Sequence, residues 1–190
     1  SFDLQDEWSI EGAASLIAAD AGIDLVIVAT GRLHAPSLQP EKSGRALEAA
    51  ALNEAFAINT IGPALVAKRM LPLLPRNRRT VFAVLSARVG SISDNRLGGW
   101  HSYRASKAAL NMLVRTFAIE QARTHPQTVC VALHPGTVDT RLSKPFQSGV
   151  ATEKLFAPAH AASSLLATLD ALTPAQSGRL FAWNCEEIAP

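Results

Sequence analysis

The sequence predicts an α/β protein built on a doubly wound parallel sheet, and three observations carry that expectation. The runs Ile23-Asp24-Leu25-Val26-Ile27-Val28-Ala29, Thr80-Val81-Phe82-Ala83-Val84-Leu85 and Thr128-Val129-Cys130-Val131-Ala132-Leu133 are short, apolar and rich in β-branched residues. That composition suits strands buried on both faces of a sheet. Longer segments with helical periodicity stand between them, and this alternation favours right-handed crossovers in one open sheet.

Helices are expected over residues 6–21, 46–74, 102–123 and 158–172, with a last strand near 178–183. Pro63 follows Gly62 inside the second helical segment, where its ring and missing N–H should kink or divide it. Residues 143–157, with Pro145, Phe146 and Phe156, carry few helix or strand signals and read as a loop. No linker, repeat or low-complexity tract interrupts the pattern, so residues 1–190 read as a single domain.

Composition narrows the function classes. Of 190 residues, 48% are hydrophobic and 18% charged, which excludes a disordered chain. A formal charge of +2 gives no electrostatic footprint for nucleic acid, and Arg76-Asn77-Arg78-Arg79 reads as a solvated loop. Cys130 and Cys185 form neither a disulfide framework nor a metal-ligand spacing, and the five histidines show no paired ligand spacing. No metal site is expected. No apolar stretch reaches the ~20 residues that span a bilayer, and the expected location is the cytoplasm, with no membrane partner.

In a doubly wound sheet the ligand sits beyond the carboxyl ends of the strands. Three turns rich in small or hydroxylated residues fall there: Ala29-Thr30-Gly31, residues 86–91 and residues 134–140. The only tyrosine, Tyr103, precedes Lys107 by four residues, so a helix would set both on one face about a turn apart. A phenol exchanges protons poorly at neutral pH because its ordinary pKa is near ~10. A neighbouring ammonium favours the phenolate and is expected to bring that value down.

Together these residues resemble the short-chain dehydrogenase/reductase family, particularly its C-factor-like and sniffer-like carbonyl reductase branches. The matched features run in order: Ala29-Thr30-Gly31, Asn59 in Ile58-Asn59-Thr60-Ile61-Gly62-Pro63, the turn from Ser86 to Ser91, Tyr103 with Lys107, and Pro135-Gly136-Thr137-Val138. The resemblance implies a Rossmann-type sheet and NAD or NADP as cofactor. It further implies that Tyr103 exchanges a proton with the oxygen of a small carbonyl or alcohol substrate. Lys107 would activate Tyr103 and hold the nicotinamide ribose, and Asn59 would support a water relaying protons to Lys107. Ala29, Thr30 and Gly31 would admit the ribose, Pro135, Gly136, Thr137 and Val138 would border the nicotinamide, and Thr140 would reach the cofactor further out. Asp3, with Leu4, stands where a family aspartate contacts the adenine.

Two departures from the family pattern stand out. The substrate-orienting serine falls where this chain has Ala87; Ser86 is the favoured substitute and Ser91 its competitor. No Gly-x-x-x-Gly-x-Gly occurs, so the expected sheet is N-terminally incomplete, lacking the first strand-turn-helix units and the turn whose amides hold a pyrophosphate. Leu25-Val26-Ile27-Val28 would then become an exposed edge strand.

A homodimer or homotetramer is expected through the helices carrying Asn59 and Tyr103, whose outward faces would include Ala49, Leu52, Phe56, Leu110, Leu113 and Phe117. Two other functions remain open. A non-catalytic, C-factor-like role in binding or cell signalling fits Ala87 and the absent glycine-rich turn. A serine hydrolase would use Ser86 and His134, although no Gly-x-Ser-x-Gly elbow is present.

Overall fold

The structure is a computed structural model that describes residues 2–18, 22–35 and 39–190. Ser1 and residues 19–21, the end of the expected first helix, lie outside the described residues. In chain order the elements are α1 (Glu7–Ala18), β1 (Leu25–Val28), α2 (Ala49–Phe56), α3 (Gly62–Met70), β2 (Thr80–Leu85) and α4 (His101–Thr124). There follow β3 (Thr128–His134), β4 (Thr137–Val138), β5 (Leu155–Phe156), α5 (Pro158–Ala171), β6 (Leu180–Ala182) and β7 (Glu187–Ile188).

One sheet runs in the order β1-β2-β3-β6-β7, with the first four strands parallel and β7 antiparallel to β6. Alternation along the central strands builds two core layers. Phe82, Val84, Cys130 and Ala132 pack beneath Ile10 of α1, Val66 and Met70 of α3, and Leu110 and Val114 of α4. Val81, Ala83, Val129, Val131 and Leu133 face the other way, onto Leu169 of α5 with Leu172 and Phe181. The fold class read from the sequence is therefore observed, with helices on both faces.

β1 lies at one edge of the sheet. Its Val28 joins the core under the helices, whereas Leu25 and Ile27 point to the opposite face and remain 44% and 40% exposed. The run Ile23–Ala29 is longer than the four residues that pair: the register starts with Leu25 opposite Val81, and the Val81 amide donates to Asp24 O just before it. Residues 2–5 form no strand; Asp3 Oδ1 accepts from the Gln5 amide and opens a turn into α1.

The single helix expected over 46–74 is divided. Residues 44–46 and 71–73 are 3₁₀ turns, and a π-turn, Ala57–Ile61, joins α2 to α3 immediately before Pro63. Proline lacks the N–H that would continue the ladder, and the wider turn absorbs that loss, with the Gly62 amide reaching back to Ala57 O. Asn59 sits inside this turn and is fully buried.

Three expectations need correction. Leu110, assigned to an outward dimer face, is 1% exposed and belongs to the core, with Phe117 packed against the same cluster. These positions follow the buried stripe of α4, which the two-sided sheet requires. β7 was not anticipated, since two residues are too few to show periodicity. Within the loop 143–157, Leu155 and Phe156 pair with Thr137 and Val138 as a small separate sheet.

Candidate functional site

α4 presents Tyr103 and Lys107 on its buried side, 8% and 2% exposed. The Lys107 Nζ donates to Leu85 O at 2.7 Å, at the end of β2, and lies 5.8 Å from the centroid of the Tyr103 ring. An ammonium carries three donors. Two of them have no acceptor among the described residues, so Lys107 is poised to hold hydroxyls of a ligand.

Electrostatics departs from the sequence expectation. Burial pushes the Tyr103 phenol up to about 12 and the Lys107 ammonium down to about 8. Desolvation disfavours the charged form of each, and it outweighs their mutual help because the ammonium lies over the ring and is turned to the Leu85 carbonyl. The downward shift of Tyr103 expected from spacing alone is thus reversed by burial.

Asn59 comes into the same cluster from the π-turn. Its Oδ1 accepts from the Arg32 amide at 2.8 Å, and its Nδ2 donates to Arg32 O at 2.9 Å and to Ser106 Oγ at 3.1 Å. Thr60 Oγ1 donates to Ser106 O, and Ser106 Oγ to Tyr103 O, so the π-turn is sewn to α4 beside the phenol. A methyl group added at Gly31 would stand 3.5 Å from Lys107 Nζ and 3.6 Å from Asn59 Oδ1. The absence of a side chain keeps this space open at the strand end, next to the exposed Ala29 and Thr30. The cradle fits a ribose approaching Lys107 closely.

Ser86 is 4% exposed and donates to Asn111 Oδ1 at 2.7 Å. Ser91 Oγ accepts from the Asp94 amide and serves its own turn. The Ser86 proton is thus committed to Asn111, whereas the Ser91 hydroxyl only accepts, and neither hydroxyl bonds Tyr103 or Lys107 among the described residues. The hydrolase reading fails on contact: Ser86 and His134 share no hydrogen bond among the described residues, and burial pushes the His134 imidazole down to about 4, with Arg88 adding to the effect.

The third rim turn follows β3. Gly136 is left-handed, with φ 76°, and a Cβ there would lie 2.6 Å from the Phe156 ring, so the backbone closes tightly on the loop that carries Phe156. Thr137 and Val138 are half-buried in β4 and Thr140 is exposed beyond them. Asp3 is exposed and Leu4 buried; neither touches the Tyr103 cluster through a hydrogen bond among the described residues. Arg32, Ser106, Thr60 and Asn111 were not singled out from sequence. Only their long-range partners reveal them.

Comparison with known proteins bears on these features. Residues 1–177 match the family model described as enoyl-(acyl carrier protein) reductase. A 1-hydroxy-2-glutathionyl-2-methyl-3-butene dehydrogenase of Rhodococcus sp. (strain AD45) is 32% identical over 177 residues, which is 93% of this chain and 73% of that protein. C-signal of Myxococcus xanthus is 36% identical over 134 residues, 70% of this chain and 75% of that protein. The NADPH-bound carbonyl reductase from chicken fatty liver superposes with a TM-score of 0.82 at 26% identity, over 100% of this chain and 75% of that one. Carbonyl reductase Sniffer of D. melanogaster, at 23% identity and a TM-score of 0.83, shares the fold over 100% of this chain and 77% of its own. With the ordered motifs, the parallel sheet and near-complete coverage in agreement, the chain belongs to the short-chain dehydrogenase/reductase family.

Proposed function

We propose that this protein is an NAD(P)-dependent oxidoreductase that interconverts a carbonyl compound and a secondary alcohol. The observation that carries the reading is the meeting of Tyr103, Lys107, Asn59 and Gly31 at the carboxyl end of the sheet. A bound nicotinamide supplies or accepts the hydride. Tyr103 delivers a proton to the substrate oxygen in reduction and removes it in oxidation. Lys107 would hold ribose hydroxyls with its two remaining donors, and its charge favours the phenolate against the larger effect of desolvation.

Ser86 would orient the substrate oxygen by exchanging its bond to Asn111 Oδ1 for one to the substrate, and Asn59 fixes the loop against which a relay water would rest. Ala29, Thr30, Gly31, Pro135, Gly136, Thr137, Val138 and Thr140 would border the cofactor, and Asp3 and Leu4 would lie towards its adenine. The carbonyl reductase neighbour that binds NADPH supports this cofactor class. The intact set of proton-handling residues favours turnover over a purely signalling role. The thiols of Cys130 and Cys185 are unpaired, in keeping with a cytoplasmic protein, and no described helix is long and apolar enough to cross a membrane. Self-association into a dimer would use the exposed Ile61, Met112 and Ile119 beside Asn59 and along α4.

The test is consumption of NADPH or NADH with a panel of aldehydes and ketones. Tyr103→Phe should lower the rate by about a hundredfold or more while cofactor affinity stays nearly unchanged. A Tyr103→Phe protein that turns over at the wild-type rate overturns the assignment.

A further inference from the structure

α4 begins in an unusual way. Gly98, Gly99 and Trp100 all have positive φ, 64°, 66° and 51°, and Trp100 is a bulky residue in the left-handed region. Trp100 offers no side-chain cap, and the first turn of α4 holds no acidic residue. The amides at a helix start need acceptors, and a buried start without them is strongly disfavoured.

The acceptor comes from Glu41, 61 residues before Ser102 in sequence. Its carboxylate accepts from the Ser102 amide at 3.2 Å through Oε2, and from the Ser102 hydroxyl through Oε1. Its main-chain carbonyl accepts from the Trp100 amide at 2.5 Å. Glu41 is only 5% exposed. Burial by itself raises its pKa, but the Ser102 hydrogen bonds and the nearby His101 outweigh that and the net shift is downward, so the group is ionised.

Tyr103 follows the capped residue directly, and the Trp100 ring meets the Tyr103 ring edge-on at 6.4 Å. Arg104 closes the other side by donating to Gly98 O, Gly99 O and Val89 O. A cavity of about 10 Å³, room for at most one water, lies among Arg32, Glu41, Ser102 and Tyr103. The charged or titratable groups at this corner are therefore Arg32 from the loop after β1, Glu41, His101, Tyr103, Arg104 and, one turn on from Tyr103, Lys107.

We propose that Glu41 is a positioning residue for the reaction: by capping α4 from outside the helix, its buried carboxylate fixes the phenol of Tyr103 where the substrate oxygen must meet it. The proposal rests on the assignment of Tyr103 above. A charge-assisted cap holds its amide about twice as firmly as a neutral one, and small misplacements of a proton donor are expensive in rate.

The experiment uses the 190-residue chain. Because Tyr103 is the only tyrosine, an alkaline near-ultraviolet titration reports this phenol alone and needs neither cofactor nor turnover. Glu41→Gln keeps the volume and loses the charge; Ser102→Ala deletes the hydroxyl donor. Both should loosen the first turn, hydrate the ring and move the phenolate midpoint down from about 12, Glu41→Gln further than Ser102→Ala. In turnover, Glu41→Gln should lower kcat roughly tenfold with the KM for NADPH unchanged, and Glu41→Asp, which retains the carboxylate, should restore part of it. A folded Glu41→Gln protein with the wild-type midpoint overturns the proposal, as does a Ser102→Ala protein with that midpoint if Glu41→Gln does not fold. Absence of turnover in every protein, wild type included, would instead overturn the oxidoreductase reading, while the titration still decides the role of Glu41.

Discussion

Asn59 and Arg32 exchange two hydrogen bonds, side chain to main chain, in the pattern by which neighbouring strands pair. The Asn59 amide thus continues the sheet edge beyond β1 and holds the Arg32 loop against α4. Asn59→Leu would leave the Arg32 amide and carbonyl and the Ser106 hydroxyl short of partners. The expected loss is about 2 kcal/mol, or a fall in Tm of roughly 4–8 °C, read by thermal denaturation.

Tyr103 and Lys107 give stability a maximum in alkali. The Lys107 pKa is about 8 when folded against an ordinary 10.5, so between these values the unfolded chain binds more protons and stability rises with pH. The Tyr103 pKa is about 12 against 10, so from pH 10 to 12 the folded chain binds more and stability falls. Urea midpoints across this range should rise and then drop. Lys107→Met should remove the rise, and Tyr103→Phe the drop.

His134 works at the other end of the scale. Its buried imidazole has a pKa of about 4 against 6.5, and its Nδ1 has no hydrogen-bond partner among the described residues. Between these values the unfolded chain takes up a proton that the folded chain refuses, so stability is lost as pH falls through the window. The loss should be at most about 3 kcal/mol, and His134→Leu should flatten it in denaturant titrations between pH 6.5 and 4.

The edge strand predicts a colloidal effect. Leu25 and Ile27 are exposed on one face of β1, beside unpaired main-chain groups. Ile27→Thr keeps β-branching and removes apolar surface, so folding stability should change by no more than about 0.5 kcal/mol. Dynamic light scattering of the 190-residue chain should show less high-mass material for the variant at equal concentration. Equal or greater association would place the sticky surface elsewhere.

The alternation of Val81 to Leu85 and Val129 to Leu133 determined the two-layer sheet, because strands covered on both faces tolerate few other residues. Tyr103, Lys107, Asn59 and Gly31 were legible through their order along the chain and helical spacing. The bonds of Asn59 to Arg32 and Ser106, of Ser86 to Asn111 and of Ser102 to Glu41 were not, since partners 25 to 61 residues apart meet only when the π-turn, β1 loop and α4 assemble. Tertiary structure also decided the sign of the Tyr103 shift. Local spacing supplies a cation nearby, but only packing determines how much water is removed and which way the ammonium turns, and here desolvation is the larger effect.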